Sequence, residues 1–319
     1  MFECYSITGP TACGKTDFVI NLAEKVPLEI INMDSSLVYK SMDIGTAKPS
    51  KRILSKIPHH LIDIIDASES YSAGNFVKDV DILINKILSR GRMPILVGGT
   101  HLYLKAARDG LADLPPANKK IREDLDNEAS KIGWPRLHHL LKEVDPVSAS
   151  RISINDRQRI QRALEVYYIS GEPISSLQKK NINKKRIVVN AIAIFPKNKD
   201  WLVARIDKRL DGMIKNGFIE EVQYFKTRLD MHPDLPSMRS VGYRQIWSYL
   251  DGNYSLHDAR KKIITATRNL AKRQMTSLRS DHKVSQVVFN SQEDKDSYLN
   301  DLAKEIIKNL SIQKKHMKI

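Results

Sequence analysis

Two kinds of hydrophobic pattern alternate along the first 110 residues. Short apolar runs at 4–8, 28–33, 61–65 and 94–97 read as strands. Between them, apolar residues recur every three or four positions. Phe18, Val19, Leu22 and Ala23 mark a helix from Lys15 to about Lys25, and Phe76, Val77, Val80, Ile84 and Ile87 another from Ala73 to Arg90. Strands that are apolar throughout belong inside a parallel sheet, and strands separated by helices form right-handed βαβ units. After Leu114-Pro115-Pro116 the pattern changes. Residues 119–168 are helical with no strand signal, interrupted at Gly133-Trp134-Pro135 and Asp145-Pro146. A run at 186–195 then predicts a strand that rejoins the sheet. Helices resume at Trp201, including a long basic one at 255–279, and a strand at 284–289 and a helix near 294–310 follow. The expected architecture is α/β: a parallel sheet flanked by helices, with an inserted all-helical domain. Its parts are 1–112 (core, first part), 113–185 (helical insertion) and 186–319 (core completion with basic helices).

Composition narrows the class. The chain has 319 residues, of which 41% are apolar, enough for a sizeable core. No stretch approaches the roughly 18–20 apolar residues of a membrane span. The start, Met1-Phe2-Glu3-Cys4, lacks the basic and apolar regions of a secretion signal. Two cysteines, Cys4 and Cys13, make neither a disulfide framework nor a four-ligand zinc site, so a reducing, cytoplasmic setting is expected. The net charge of +15 is unevenly placed. Residues 1–110 hold 13 Lys and Arg against 12 Asp and Glu, whereas 111–319 hold 39 against 25. A near-neutral segment followed by a strongly basic one fits local chemistry in the first and a polyanionic partner for the second, though a lysine-rich surface alone gives the same balance.

Gly9-Pro10-Thr11-Ala12-Cys13-Gly14-Lys15-Thr16 fits G-x4-G-K-T at every required position, between a predicted strand and a predicted helix. Its glycines let successive N–H groups face phosphate oxygens, and the helix adds its positive end. Lys15 can offer an ammonium to the terminal phosphate, and the Thr16 hydroxyl a ligand for Mg²⁺. The motif specifies phosphate and not ATP. The sheet is therefore expected to be P-loop NTPase-like, with ligands at the carboxyl ends of its strands. Asp34 follows the second strand and projects into that crevice, as Mg²⁺ ligand, general base or helix cap. Gly98-Gly99-Thr100 ends the fourth strand, where glycines permit close backbone approach and Thr100 caps a helix or meets phosphate. Neither the third nor the fourth strand ends in the aspartate usual for a motor ATPase.

The basic half carries three clusters. Arg159 and Arg162 share a helix face after Asn155-Asp156. Arg239-Ser240-Val241-Gly242-Tyr243-Arg244 combines arginines with an aromatic, and Arg268, Lys272 and Arg279 line the long helix. Arginine forks bind phosphates and aromatics stack on unpaired bases. Each cluster taken singly is equally a solvated charged face. His59-His60 has no third ligand nearby and reads as structural.

Together these segments resemble the bacterial tRNA dimethylallyltransferases, also called tRNA isopentenyltransferases. The resemblance runs from about residue 6 to 280. It is carried by the phosphate loop, by Asp34-Ser35-Ser36-Leu37-Val38-Tyr39 continuing to Met42-Asp43-Ile44-Gly45-Thr46-Ala47-Lys48-Pro49, and by Pro58-His59-His60-Leu61-Ile62-Asp63. Gly98-Gly99-Thr100 with Tyr103, the segments 155–165 and 241–245, and 267–274 complete it. The resemblance implies transfer of a dimethylallyl group from dimethylallyl diphosphate to the N6 amine of the adenosine 3′ of the anticodon, with diphosphate leaving. Residues Gly9 to Thr16 would hold diphosphate, with Mg²⁺ at Thr16. Asp34, Lys15, Thr16 and Thr100 would serve the chemistry. Ser35, Ser36, Leu37, Arg122, Gln158, Arg159, Ile160, Gln161 and Arg162 would meet the tRNA anticodon stem-loop together with Asp34, Thr100 and residues Arg239 to Arg244. The implied enzyme is a cytoplasmic monomer without a membrane.

Four positions depart from the family pattern: Leu37 for Gln, His101 for Gly, Cys13 for Ser and Ser277 for Trp. A leucine cannot hydrogen-bond a base, whereas the loop acts through its backbone and tolerates cysteine. Two other readings compete. A P-loop small-molecule kinase accounts for the loop but not the basic clusters. A non-catalytic RNA-binding protein leaves the intact Lys15, Thr16 and Asp34 unexplained.

Overall fold

The computed structural model describes residues 3–180 and 188–317, with side chains as far as Leu310. The chain divides into two compact units, Met1–Arg108 with Arg186–Ile319, and Asp109–Lys185. The first unit opens with β1 (Glu3–Thr8), α1 (Lys15–Ala23), β2 (Leu28–Asn32), α2 (Lys51–Lys56), β3 (His59–His60), α3 (Ala73–Ser89), β4 (Met93–Val97) and α4 (His101–Asp109). The second comprises α5 (Lys119–Ile132), α6 (Trp134–Val144), α7 (Pro146–Ala149), α8 (Arg157–Ser170) and α9 (Ile174–Lys180). The chain returns with β5 (Val188–Pro196), α10 (Lys199–Lys215), α11 (Phe218–Thr227), α12 (Tyr243–Leu250), α13 (Leu256–Arg279), β6 (Val284–Phe289) and α14 (Gln292–Met317).

The sheet order is β3-β2-β4-β1-β5-β6, and every pairing is parallel. The strands nearest the centre are buried along almost their whole length, which is why their sequences do not alternate. On one face Phe76, Val80, Ile84 and Ile87 of α3 pack with Ala271, Met275 and Leu278 of α13. On the other, Phe18, Val19 and Leu22 of α1 meet Leu299, Leu302 and Ile306 of α14. Burying each such Phe, Leu or Ile contributes about 1.5–3 kcal/mol. A third cluster around Phe218, Phe225, Tyr243 and Trp247 encloses Val38, Tyr39 and Met42, and so fixes the segment that follows β2.

The third strand differs from expectation. The run Leu61–Ile65 is not a strand: Leu61 (φ 61°) and Asp63 (φ 55°) lie in the left-handed region and turn the chain. The pairing residues are His59 and His60 instead. His60 Nε2 lies 2.6 Å from Glu29 Oε2, and His59 Nδ1 lies 2.7 Å from the Ile57 carbonyl, while His59 Nε2 is buried without a partner among the described residues. The expected strand at 186–195 begins at Val188, and its first two positions lie outside the described residues.

The second unit has its own core of Leu125, Leu137, Leu141, Ile160, Ala163, Leu164 and Val166. Ile160, expected to meet tRNA, is fully buried there and offers no side-chain surface to a partner. Arg122 and Arg162, expected to reach outward, are tied inward by the fully buried Glu165. Arg122 donates to it at 2.7 and 3.0 Å and Arg162 at 2.6 Å, while the Asn118 amide adds a fourth bond. Burial raises the Glu165 carboxyl, but the bonds from Arg122, Arg162 and Asn118 outweigh it and hold it below the usual carboxylate range. A carboxyl lowered on folding contributes stability above its unfolded pKa and loses that contribution as pH falls through its folded value. Glu165→Gln should thus cost about 2 kcal/mol near neutral pH. The gap to the parent should begin to narrow below about pH 4, where the unfolded carboxyl gains its proton, and close as pH falls through the lower folded value. Urea denaturation at both pH values checks this, and an equal loss at both would contradict it.

Candidate active site

β1 ends at Thr8 and the chain curls at once. Gly9 (φ 143°), Ala12 (φ 63°) and Gly14 (φ 90°) take backbone angles that L side chains rarely adopt. A Cβ on Gly9 would lie 2.5 Å from the Ile194 carbonyl of β5, so the turn is tight against the sheet. Gly14 is the N-cap of α1 and supplies no side-chain bond, leaving the helix's first N–H groups uncapped. That is the setting in which an anion completes a helix. Lys15 bends back over the loop, its Nζ donating to the Pro10 carbonyl at 2.7 Å and lying 3.8 Å from Cys13 Sγ. Cys13 is fully buried, so its side chain packs the loop from beneath.

Asp34 follows β2. Its amide donates to Asn32 Oδ1, and its Oδ1 accepts from the Ser36 amide at 3.0 Å and the Ser36 hydroxyl at 2.7 Å. Asn32 is buried and anchors the turn by donating to the Asp34 and Leu61 carbonyls. Among the described residues Oδ2 of Asp34 has no hydrogen-bond partner. Beside it, Thr100 Oγ1 accepts from the Ser35 amide at 3.0 Å, and the Thr100 amide donates to the Met33 carbonyl. Thr100 thus fixes the Asp34 turn as well as opening α4.

Gly98 and Gly99 bring the loop and Asp34 together. A Cβ on Gly98 would lie 2.2 Å from Met33 backbone atoms and 2.7 Å from the Asp34 nitrogen; one on Gly99 would lie 3.4 Å from the Gly9 oxygen. Gln274 of α13 locks this junction. Its Oε1 accepts from the Thr11 amide at 2.9 Å and its Nε2 donates to the Gly99 carbonyl at 3.0 Å.

Two cations that the sequence reading passed over stand by. Arg205 Nε donates to the Ala12 carbonyl at 2.8 Å, and its guanidinium lies over the Trp201 ring. Arg209, one turn on, donates to the Thr46 carbonyl. Burial lowers the Arg209 pKa, while the nearby Asp34 and Asp17 carboxylates raise it, so the guanidinium lies within electrostatic reach of Asp34. The i, i+4 spacing of the two arginines on an amphipathic helix was the available signal. A fork facing the loop and a carboxylate opposite suit an anionic leaving group and a proton acceptor.

Residues 37–281 match the family described as IPP transferase. The chain is 51% identical to a tRNA dimethylallyltransferase of Cupriavidus necator over 280 residues, covering 86% of this chain and 87% of the relative. The chain belongs to the IPP transferase family. A tRNA dimethylallyltransferase of Burkholderia ambifaria is 49% identical over 278 residues, which is 86% of each chain. Among solved structures, the full-length tRNA isopentenylpyrophosphate transferase of Bacillus halodurans aligns with a TM-score of 0.68 at 33% identity, covering 100% of this chain and 99% of that one. A eukaryotic dimethylallyltransferase acting on tRNA aligns with a TM-score of 0.79 at 26% identity, over 97% and 80%. The chain is therefore a transferase of the prenyltransferase kind with a P-loop NTPase-like fold, and the small-molecule kinase reading falls away.

Membership in the family does not place its sites residue by residue, and the geometry sorts the remaining expectations. Arg239, Arg244, Gln158 and Arg159 are exposed; Ser240, Val241 and Gln161 are half-buried. Gln161 donates to Asp126 and to the Arg122 carbonyl. Tyr243, expected beside them as a stacking ring, is fully buried; it packs on Phe218 and its hydroxyl donates to Glu221. Gly242 is buried too, its amide donating to Gln245 Oε1. The local signal was Glu221, four residues after Gly217, whose carboxylate also accepts the Asp43, Ile44 and Gly45 amides. His101, which stands where the family pattern has Gly, is held in the fold: its Nε2 lies 2.9 Å from Asp281 Oδ2, which Arg108 also holds.

Proposed function

We propose that the chain transfers the dimethylallyl group of dimethylallyl diphosphate to the exocyclic N6 amine of the adenosine 3′-adjacent to the anticodon in tRNA, releasing diphosphate. The observation that carries the reading is the joining of an uncapped, basic phosphate loop to an Asp34 carboxylate with one unpartnered oxygen, through Gly98, Gly99 and Gln274. The relatives' names supply the substrate class.

In this reading the amides of Gly9 to Thr16 and the Lys15 ammonium hold the diphosphate and stabilise the charge that grows as the carbon–oxygen bond breaks. Arg205 and Arg209 lend further positive field. Asp34 Oδ2 holds the adenine amine in line and takes its proton as the new carbon–nitrogen bond forms. Ser36 and Thr100 keep that carboxylate in place. The adenine leaves its stack to reach Asp34, at the cost of unstacking that base-modifying enzymes generally meet. Exposed Arg159, Arg239 and Arg244 contact the anticodon stem-loop.

A divalent ion fits the donor set. The Thr16 hydroxyl has no intramolecular partner among the described residues, and no group of three or more His, Cys, Asp or Glu among them could hold a metal ion. Magnesium typically takes one or two protein oxygens and substrate phosphates, as Thr16 and a diphosphate would provide. Bound there, Mg²⁺ would neutralise charge on the leaving group. No helix among the described residues is long and apolar enough to cross a membrane.

The test is mass spectrometry of nucleosides from unmodified tRNA incubated with the protein, Mg²⁺ and dimethylallyl diphosphate. The expected product is N6-dimethylallyladenosine at the position 3′ of the anticodon. Unmodified nucleosides with every cognate tRNA would overturn the reading.

A further inference from the structure

α14 packs its apolar face on α1, and this brings Lys295, in its first turn, against the phosphate loop. The Lys295 Nζ lies 2.5 Å from where a Cβ on Gly14 would stand, and its Cε 3.2 Å from that point. The residue is 5% exposed; its amide donates to the Ser291 carbonyl, but its ammonium makes no ion pair and no hydrogen bond among the described residues. Its ammonium lies 5.7 Å from the centre of the Trp201 ring.

Three features make this an expensive place for an ammonium. Most of the side chain is buried, and a largely buried charge without an ion-pair partner is costly. It sits near the N-terminus of α14, the positive end of a helix, where the Asp294 amide already donates to the Ser291 hydroxyl. It shares the loop with a second cation, Arg205, bound to Ala12. Burial first, and Arg205 next, push its pKa below that of an ordinary lysine; Cys13, Asp296 and Asp17 only partly counter them. An anion arriving at the loop would offset that cost.

We propose that Lys295 is a second ammonium ligand of the diphosphate at the phosphate loop, contributed by α14 rather than by the loop itself. The inference rests on the reading of Gly9 to Thr16 as the diphosphate site. Lys15 and Lys295 then grip the leaving group from two directions, one from within the G-K-T motif and one from 280 residues later in the chain. The bound anion supplies the charge that Lys295 lacks in the empty protein, so binding and α14 docking reinforce one another.

The test compares the full-length protein with Lys295→Met, which keeps the length and packing of the side chain and removes the charge. Calorimetric titration with inorganic diphosphate in the presence of Mg²⁺ should show affinity reduced about tenfold in the variant, a 1.4 kcal/mol loss. Without diphosphate the variant should melt at the parental temperature or above it, because an unpaired buried charge has gone. The upward shift of melting temperature by diphosphate should shrink. Equal affinity in parent and variant would overturn the proposal, and so would weaker affinity accompanied by a lower melting temperature in the empty protein, which marks a structural lysine. A parent that binds no diphosphate overturns the loop reading as well, and so separates the two failures.

Discussion

Asp34→Asn should lower prenyl transfer by about 10²–10⁴-fold, the usual span for removing a positioned general base. The substitution is nearly isosteric. Its Oδ1 can still accept from the Ser36 amide and hydroxyl, so the turn after β2 should persist. What disappears is the charged Oδ2 that has no partner among the described residues and that would receive the adenine proton. Because Asp34 does not bond to the loop, affinity for inorganic diphosphate should stay near the parental value. Single-turnover prenylation of a tRNA, measured beside a diphosphate titration, separates the two. Near-normal turnover would remove Asp34 from the proton transfer, and a parallel loss of diphosphate affinity would make its role one of loop geometry.

The second large effect is on structure and site together. Gly98→Ala places a Cβ 2.2 Å from the Met33 carbonyl and 2.7 Å from the Asp34 nitrogen. These are backbone atoms at the carboxyl ends of β2 and β4, where the Met33 amide donates to the Val97 carbonyl and the Thr100 amide to the Met33 carbonyl. The ends of β2 and β4 must part to admit the methyl group, at a cost of about 1–3 kcal/mol or more. Asp34 moves with Met33, so turnover should fall further than stability alone explains. Gly99→Ala is the control. There the added carbon meets the tip of the Gln274 side chain at 2.5 Å, which can swing aside. It should unfold less easily than Gly98→Ala while weakening diphosphate binding, since Gln274 would release Thr11. Denaturant melts and kinetics on both variants check the ranking; equal stability of the two contradicts it.

Much of the first unit was legible because local pattern and physical role coincide there. The loop motif, the apolar strands and the amphipathic helices are each written in consecutive residues. The third strand was not, because its role is polar. His60 pairs with Glu29, a buried carboxylate also held by Arg90, whereas the apolar run after it packs as turn rather than sheet. The basic clusters were legible as charge but not as direction. Arg162 reads as a free arginine until Glu165, three residues on, is seen to be buried beneath it. Tyr243 reads as a stacking ring until α11 supplies Glu221 and Phe218. Gln274 and Lys295 were invisible as site residues for a simpler reason. They are ordinary members of polar helices, and only the packing of α13 and α14 brings them to a loop near the other end of the chain.

The parallel pairing of β1 with β5 sets Glu3 beside Val188 and Thr8 beside Ala193. A ribosome must therefore synthesise the whole helical insertion before the loop-bearing strand can find that neighbour. The apolar side of α1 waits longer still, since Leu299, Leu302 and Ile306 that cover it come from α14. Such long sequence separations slow folding and leave strand edges open on the nascent chain. The self-contained core of residues 109–185 can meanwhile condense on its own. These separations predict assembly from the middle outward, with an early helical bundle, then sheet closure, and the phosphate loop completed last. The phosphate loop is therefore expected to gain its full apolar cover only after α14 has been made.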